Sequence, residues 1–196
     1  MRRLFVLVAA SFVLAACQPV VAEPEAFEEA PEVVARWDHR AESDVWNTAM
    51  MQALQTEARA LIEVEPRDAE EFCPGYAEAD EEARAAFWVA FFSGLARFES
   101  GWRPEAAGAG GRYQGLLQIS PATARHHGCE LSEPGGLYNG VNNLTCATLI
   151  ATPAVVRAGV IATGRGGVAQ DWPPLRNASK RAEIAAFTRS LPVCQG

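Results

Sequence analysis

Histidine, methionine and tyrosine are scarce in this chain of 196 residues, with three of each. His126 and His127 are adjacent and lack the spacing that lets two imidazoles converge on one ion, so no metal is expected. Neither glycine-rich stretch, 108–111 or 164–167, ends in Gly-Lys-Ser/Thr or follows a strand. A phosphate cradle is therefore excluded, and no cofactor is expected. There is no internal repeat and no strand of assured length. The apolar stretch at 4–14 is shorter than the roughly 20 residues of a membrane-spanning helix. With 24 acidic against 17 basic residues and a net charge of −7, no positive excess is present to draw nucleic acid.

What is present begins with an address. Met1-Arg2-Arg3 is a positive n-region, 4–14 an apolar h-region, and Leu14-Ala15-Ala16-Cys17 follows where cleavage would fall, the layout of a secretory signal. The tetrad resembles the lipobox of bacterial lipoproteins, which implies a signal peptide over 1–16 and an acylated Cys17. Gln18 implies sorting to the outer membrane, where the lipid would anchor the protein on the periplasmic face. Cleavage after Val20-Val21-Ala22 is the alternative and would leave a soluble periplasmic or secreted protein. With Cys17 assigned to lipid, Cys73, Cys129, Cys146 and Cys194 remain, an even number in an oxidising compartment. Four cysteines allow three pairings. Cys129 with Cys146 and Cys73 with Cys194 are favoured, the first closing a short segment and the second tying the region before the main domain to the C-terminus.

Charge divides the mature chain. From 23 to 82 there are eighteen acidic and four basic residues; from 83 onward there are six and eleven. Residues 17–35, rich in Pro, Glu, Ala and Val, read as a disordered tether. Residues 36–78 read as an acidic helical extension and 79–196 as the main domain. Within the extension a helix is predicted over 41–64, followed by a turn at 72–76. Thr152-Pro153 reads as an N-cap and N1 pair opening a helix that Gly164 ends, and 177–191 as the last helix. The fold is expected to be mainly α, with a short β-hairpin in the loop 108–114.

The densest information lies at Glu99. Apolar or small residues at 83, 86, 87, 90, 91, 94, 95 and 98 have the spacing of an amphipathic helix, and Trp88, Val89 and Phe92 widen the stripe until little of the helix is polar. Counting back from Glu99 by four, seven and eleven reaches Leu95, Phe92 and Trp88. The carboxyl therefore sits on an apolar edge in the last helical turn, where desolvation and the helix dipole both push its pKa upward. A glutamate protonated near neutral pH can act as a general acid.

Sixteen residues beyond Glu99 comes Gly115-Leu116-Leu117-Gln118-Ile119-Ser120-Pro121-Ala122-Thr123-Ala124. Joined to Phe98-Glu99-Ser100-Gly101-Trp102, it resembles the catalytic domain of bacterial lytic transglycosylases, the goose-lysozyme-like family that cuts peptidoglycan strands. Leu117 stands in place of that family's methionine, and the resemblance covers residues 83–172. It implies a lysozyme-like helical domain with Glu99 as acid and then base, and cleavage of the MurNAc-GlcNAc bond to leave 1,6-anhydro-muramoyl ends. Ser100, Gly115, Leu116, Leu117, Gln118, Tyr113 and Asn143 would bind the substrate, with Gly115 letting backbone approach it and Gln118 presenting an amide. Trp102 and Tyr138 are further candidates for stacking on sugar rings. The family's motif tyrosine, which points at the catalytic glutamate, falls here on Ile161 and its neighbouring asparagine on Ala162; Tyr113 or Tyr138 would have to replace the hydroxyl. Two other readings stand beside this one. The protein could be a non-catalytic peptidoglycan-binding lipoprotein, or a lysozyme-type hydrolase using a second carboxylate, for which Glu105, Glu130, Glu133 and Asp171 are the candidates.

Overall fold

The computed structural model describes residues 33–195, so the signal peptide, Cys17 and most of the tether lie outside it. The central element is α4 (Glu81–Glu99). Asp80 caps it, its carboxylate accepting from the backbone N–H of Ala83 at 2.8 Å, and Glu81 and Glu82 favour the positive end of the dipole. Every residue from 85 to 96 is buried, so apolar side chains point outward in all directions and the rest of the chain must wrap them.

That wrapping uses both halves of the sequence. In the acidic half, α1 (Ser43–Gln55), α2 (Ala60–Glu63) and α3 (Ala69–Phe72) contribute Trp46, Met50, Leu54, Leu61, Ile62 and Phe72 to the same core as α4. Phe72 meets Phe91 edge-on at 5.6 Å. Trp88 donates its indole N–H to the Tyr76 hydroxyl, whose burial pushes the phenol up to about 12. The helix predicted over 41–64 is broken. The Thr56 hydroxyl donates to the carbonyl of Gln52 at 2.7 Å, the chain turns, and a single further helical turn follows as α2. The predicted turn at 72–76 holds the end of α3 and a 3₁₀ turn over Pro74–Tyr76.

After α4 come the hairpin strands β1 (Ala107–Gly108) and β2 (Tyr113–Gln114), in antiparallel register with Gly108 opposite Tyr113, and α5 (Pro121–His126). Next is α6 (Gly140–Ala158), capped by Asn139, whose side chain accepts from Val141 N–H at 2.9 Å. The expected helix start at Thr152-Pro153 is overturned, because α6 runs through Pro153. Buried Leu144, Ala147, Ile150, Ala151, Ala154 and Val155 continue one apolar face across the proline, and that packing outweighs the local start signal. Gly159, at φ 61°, ends the helix five residues before the expected Gly164. The last helix, α7 (Ala178–Arg189), is capped by Asn177 and packs on α4 through Ile184. Disulfides join Cys73 to Cys194 and Cys129 to Cys146, the favoured pairing. No helix among the described residues is long and apolar enough to cross a membrane.

Candidate active site

Glu99 is the last residue of α4. The helix stops there because Gly101 takes a left-handed φ of 63° and its N–H folds back to the carbonyls of Ala96 and Arg97. One carboxyl oxygen of Glu99 is buried and has no hydrogen-bond partner. Burial pushes the carboxyl up to about 7, against the opposing pull of Lys180, the only lysine in the chain. Lys180 reaches across from α7 and lies over the Phe98 ring, 5.2 Å from its centroid. A carboxyl so placed is partly protonated at neutral pH and can both give and take a proton there.

It opens into a cleft of about 310 Å³ lined by Glu99, Tyr113, Gln118, Asp171 and Pro173. A larger open groove of about 580 Å³ runs along α1 beside Met51 and Glu82. The buried carboxyl, without a hydrogen-bond partner among the described residues, is in the smaller one, which makes that cleft the candidate site.

The turn 115–118 meets the cleft at Gln118, and its other three residues are buried in the protein. Gly115, at φ 78°, makes room for protein rather than substrate: a Cβ there would lie 2.1 Å from the Leu137 carbonyl and 2.2 Å from Asn143 Nδ2. Asn143 is fully buried and serves the same turn. Its Oδ1 accepts from Leu117 N–H at 2.8 Å, and its Nδ2 donates to the carbonyls of Gln114 and Leu137, both at 2.9 Å. Leu116 and Leu117 are also buried, and the Leu117 carbonyl accepts from the Trp172 indole at 2.9 Å. Gln118 does line the cleft, held at φ 49°. Its amide nitrogen is committed to the carbonyls of Gly115 at 2.8 Å and Ala106 at 3.2 Å, so it faces a ligand only as an acceptor.

Ser100 is buried below the cleft, where its hydroxyl donates to Ala96 and accepts from Arg103 N–H, closing the turn after α4. Trp102 donates to the Ser93 carbonyl and lies edge-on to His39, away from the lining residues. Tyr113 is in the cleft and 41% exposed, with Arg112 stacked over its ring. Neither it nor Tyr138 supplies the missing hydroxyl, since the buried Glu99 oxygen accepts from no described residue. Ile161, at the place of the family tyrosine, is wholly buried. Of the four candidate second carboxylates only Asp171 reaches the cleft. Pro173 escaped the sequence reading altogether, having no motif to mark it. Among the described residues no group of three metal-binding side chains comes together.

Three solved structures of DslA (Bd0314) are similar to this chain. Two are glutamate-to-glutamine variants, both 29% identical with TM-scores of 0.75 and 0.72. The wild-type form is 28% identical with a TM-score of 0.73. In each case 83% of this chain and 98% of the other are covered. Curated protein sequences yield no match. Residues 77–152, which hold α4, Glu99, the hairpin, the turn and most of α6, match the Transglycosylase SLT domain. Such a domain implies peptidoglycan as what it binds and supports a transglycosylase-family function. It is the transglycosylase SLT family model that this segment of the chain matches.

Proposed function

We propose that this protein is a lytic transglycosylase that cleaves the MurNAc-GlcNAc bond of peptidoglycan with Glu99 as the one acid and base. The observation that carries this reading is the buried, partnerless Glu99 carboxyl with its pKa raised to about 7 at the mouth of a cleft. Protonated Glu99 donates to the glycosidic oxygen as the bond from the anomeric carbon to that oxygen breaks, and the substrate's own N-acetyl group supports the electron-poor carbon. The Glu99 carboxylate then takes the proton of the C6 hydroxyl, whose oxygen bonds to the anomeric carbon. Glu99 ends protonated again, the product is a 1,6-anhydro-muramoyl end, and water is not consumed. The N-terminal signal favours a lipid anchor at Cys17 on the periplasmic face of the outer membrane.

One observation favours hydrolysis as the second reading. Asp171 shares the cleft with Glu99, so a water held by a second carboxylate is available in principle. Sacculi digested with the soluble chain lacking Cys17 separate the two by mass. Anhydro ends, one water lighter than hydrolysed ends and produced equally by Asp171→Asn, are the expected result. Reducing ends that vanish in Asp171→Asn would establish the hydrolase.

A further inference from the structure

A side chain of the acidic half holds the segment that leads into the cleft wall. Asp68 lies between α2 and α3, and all three of its recorded partners belong to the segment after α6. One carboxylate oxygen accepts from Ile161 N–H at 2.5 Å; the other accepts from Ala162 N–H at 3.0 Å and from the Thr163 hydroxyl at 2.8 Å. The adjacent Arg67 adds its own N–H to the Gly159 carbonyl at 3.0 Å.

The segment held in this way continues into the cleft wall without a break in hydrogen bonding. Val168 N–H donates to the Ile161 carbonyl at 2.7 Å, and Trp172 N–H donates to the Val168 carbonyl at 3.1 Å. Gly167, at φ 56°, allows this close return, since a Cβ there would meet the Val160 and Ile161 carbonyls at 2.2 and 2.3 Å. Trp172 rests on Phe92 of α4 and donates its indole to Leu117 of the turn, while Asp171 and Pro173 beside it line the cleft with Glu99.

We propose that Asp68 is a positioning residue that fixes the 161–173 wall over Glu99, making the acidic extension part of the catalytic unit. The proposal rests on the reading of Glu99 as the acid. Two negative oxygens facing three donors cannot be imitated by an amide, which turns an NH₂ toward N–H groups that have no other acceptor. Release of the wall would admit water to Glu99, and its carboxyl would move back toward the ordinary range. The charged and titratable groups that face Glu99 are Lys180 on α7 and Asp171 and Tyr113 in the cleft. None of them is altered by the test.

The experiment titrates the Glu99 carboxyl by carbon NMR and follows exchange of the Trp172 indole proton in the parent chain, Asp68→Asn, Thr163→Val and Arg84→Met. Arg84→Met is the control, removing hydrogen bonds to the Tyr76, Ala77 and Ile62 carbonyls far from the wall. Asp68→Asn is expected to lower the Glu99 midpoint by roughly half a pH unit or more. Its indole exchange should quicken about tenfold or more. Thr163→Val should move both in the same direction by less, and Arg84→Met should move neither. An unchanged Glu99 midpoint in Asp68→Asn overturns the proposal, as does an equal shift in Arg84→Met. If Asp68→Asn does not fold, Thr163→Val decides alone. None of these readings needs turnover, so an inactive parent would refute the proposed function while leaving this coupling measured.

Discussion

Glu99 carries a proton-binding free energy that can be measured apart from catalysis. Its folded pKa, about 7, lies above the ordinary 4.5, so the folded state binds the proton more tightly than the unfolded state. Stability is therefore fully present below pH 4.5, falls as pH rises toward 7, and remains lowered above that. Glu99→Gln removes the cost. It should raise the melting temperature relative to the parent at pH 8, by an amount reflecting on the order of 2–3 kcal/mol, with the difference shrinking to nothing near pH 4. Equal melting curves at both pH values would show a solvated carboxyl. Lys180 supplies the complementary test. Its charge holds the Glu99 carboxyl down, so Lys180→Met should move the alkaline limb of the pH–rate profile upward, and a downward shift would contradict the assigned cause. The carboxyl's upward shift was legible in the sequence because helical spacing put Glu99 on the stripe of Leu95, Phe92 and Trp88. The absence of any hydroxyl partner was not legible, since Tyr113 lies in the cleft without reaching the buried oxygen.

At the scale of elements, the turn 115–118 shows how residues of one short motif can be committed to the backbone around them. Of Gly-Leu-Leu-Gln only Gln118 lines the cleft; its amide nitrogen donates to the Gly115 and Ala106 carbonyls, and Asn143 bonds the backbone of Gln114, Leu117 and Leu137. In the sequence Asn143 lies ahead of the expected helix start at Thr152-Pro153, and nothing there marks the three backbone groups 6 to 29 residues away that it satisfies. Asn143→Ala would leave the Leu117 N–H and the Leu137 carbonyl without partners and would strip one of two donors from the Gln114 carbonyl, which keeps Ile119 N–H. It should cost roughly 2–4 kcal/mol in urea unfolding and depress activity although Asn143 lines no part of the cleft. A loss below about 0.5 kcal/mol would show that water or backbone replaces the amide. Helix α4 was predicted within two residues at its start because its apolar period runs unbroken to Glu99. Helix α6 was not, because Thr152-Pro153 is a valid start signal that a continuous buried face overrides.

Across the whole molecule, the boundary drawn at residue 78 between the acidic extension and the main domain does not divide the packing. Trp37, Trp46, Leu61, Phe72 and Tyr76 share the core of α4, and the Cys73–Cys194 disulfide spans 121 residues to join the two ends. Ion pairs cross the same line, Arg36 with Glu183 at 2.7 Å and Arg181 with Glu71 at 3.1 Å, so part of the charge asymmetry is answered within the molecule. These pairs are partly exposed and each contributes about 1 kcal/mol or less; the buried aromatics dominate. A chain beginning at Ala79 should therefore give an unfolded circular-dichroism and NMR signature, and a cooperative melt from it would show that the extension is dispensable. The sequence showed the two-part composition. It did not show the shared core, because a patterned acidic helix looks the same whether it packs on α4 or stands apart.

The central claim is that Glu99 moves the proton, and the direct measurement compares parent and Glu99→Gln on purified sacculi, with binding and release of muropeptides followed in the same assay. Glutamine keeps the volume but has no transferable proton. The account predicts binding close to that of the parent and release of anhydro-muropeptides slower by roughly 10²–10⁴. Release by Glu99→Gln at the parent's rate would contradict it.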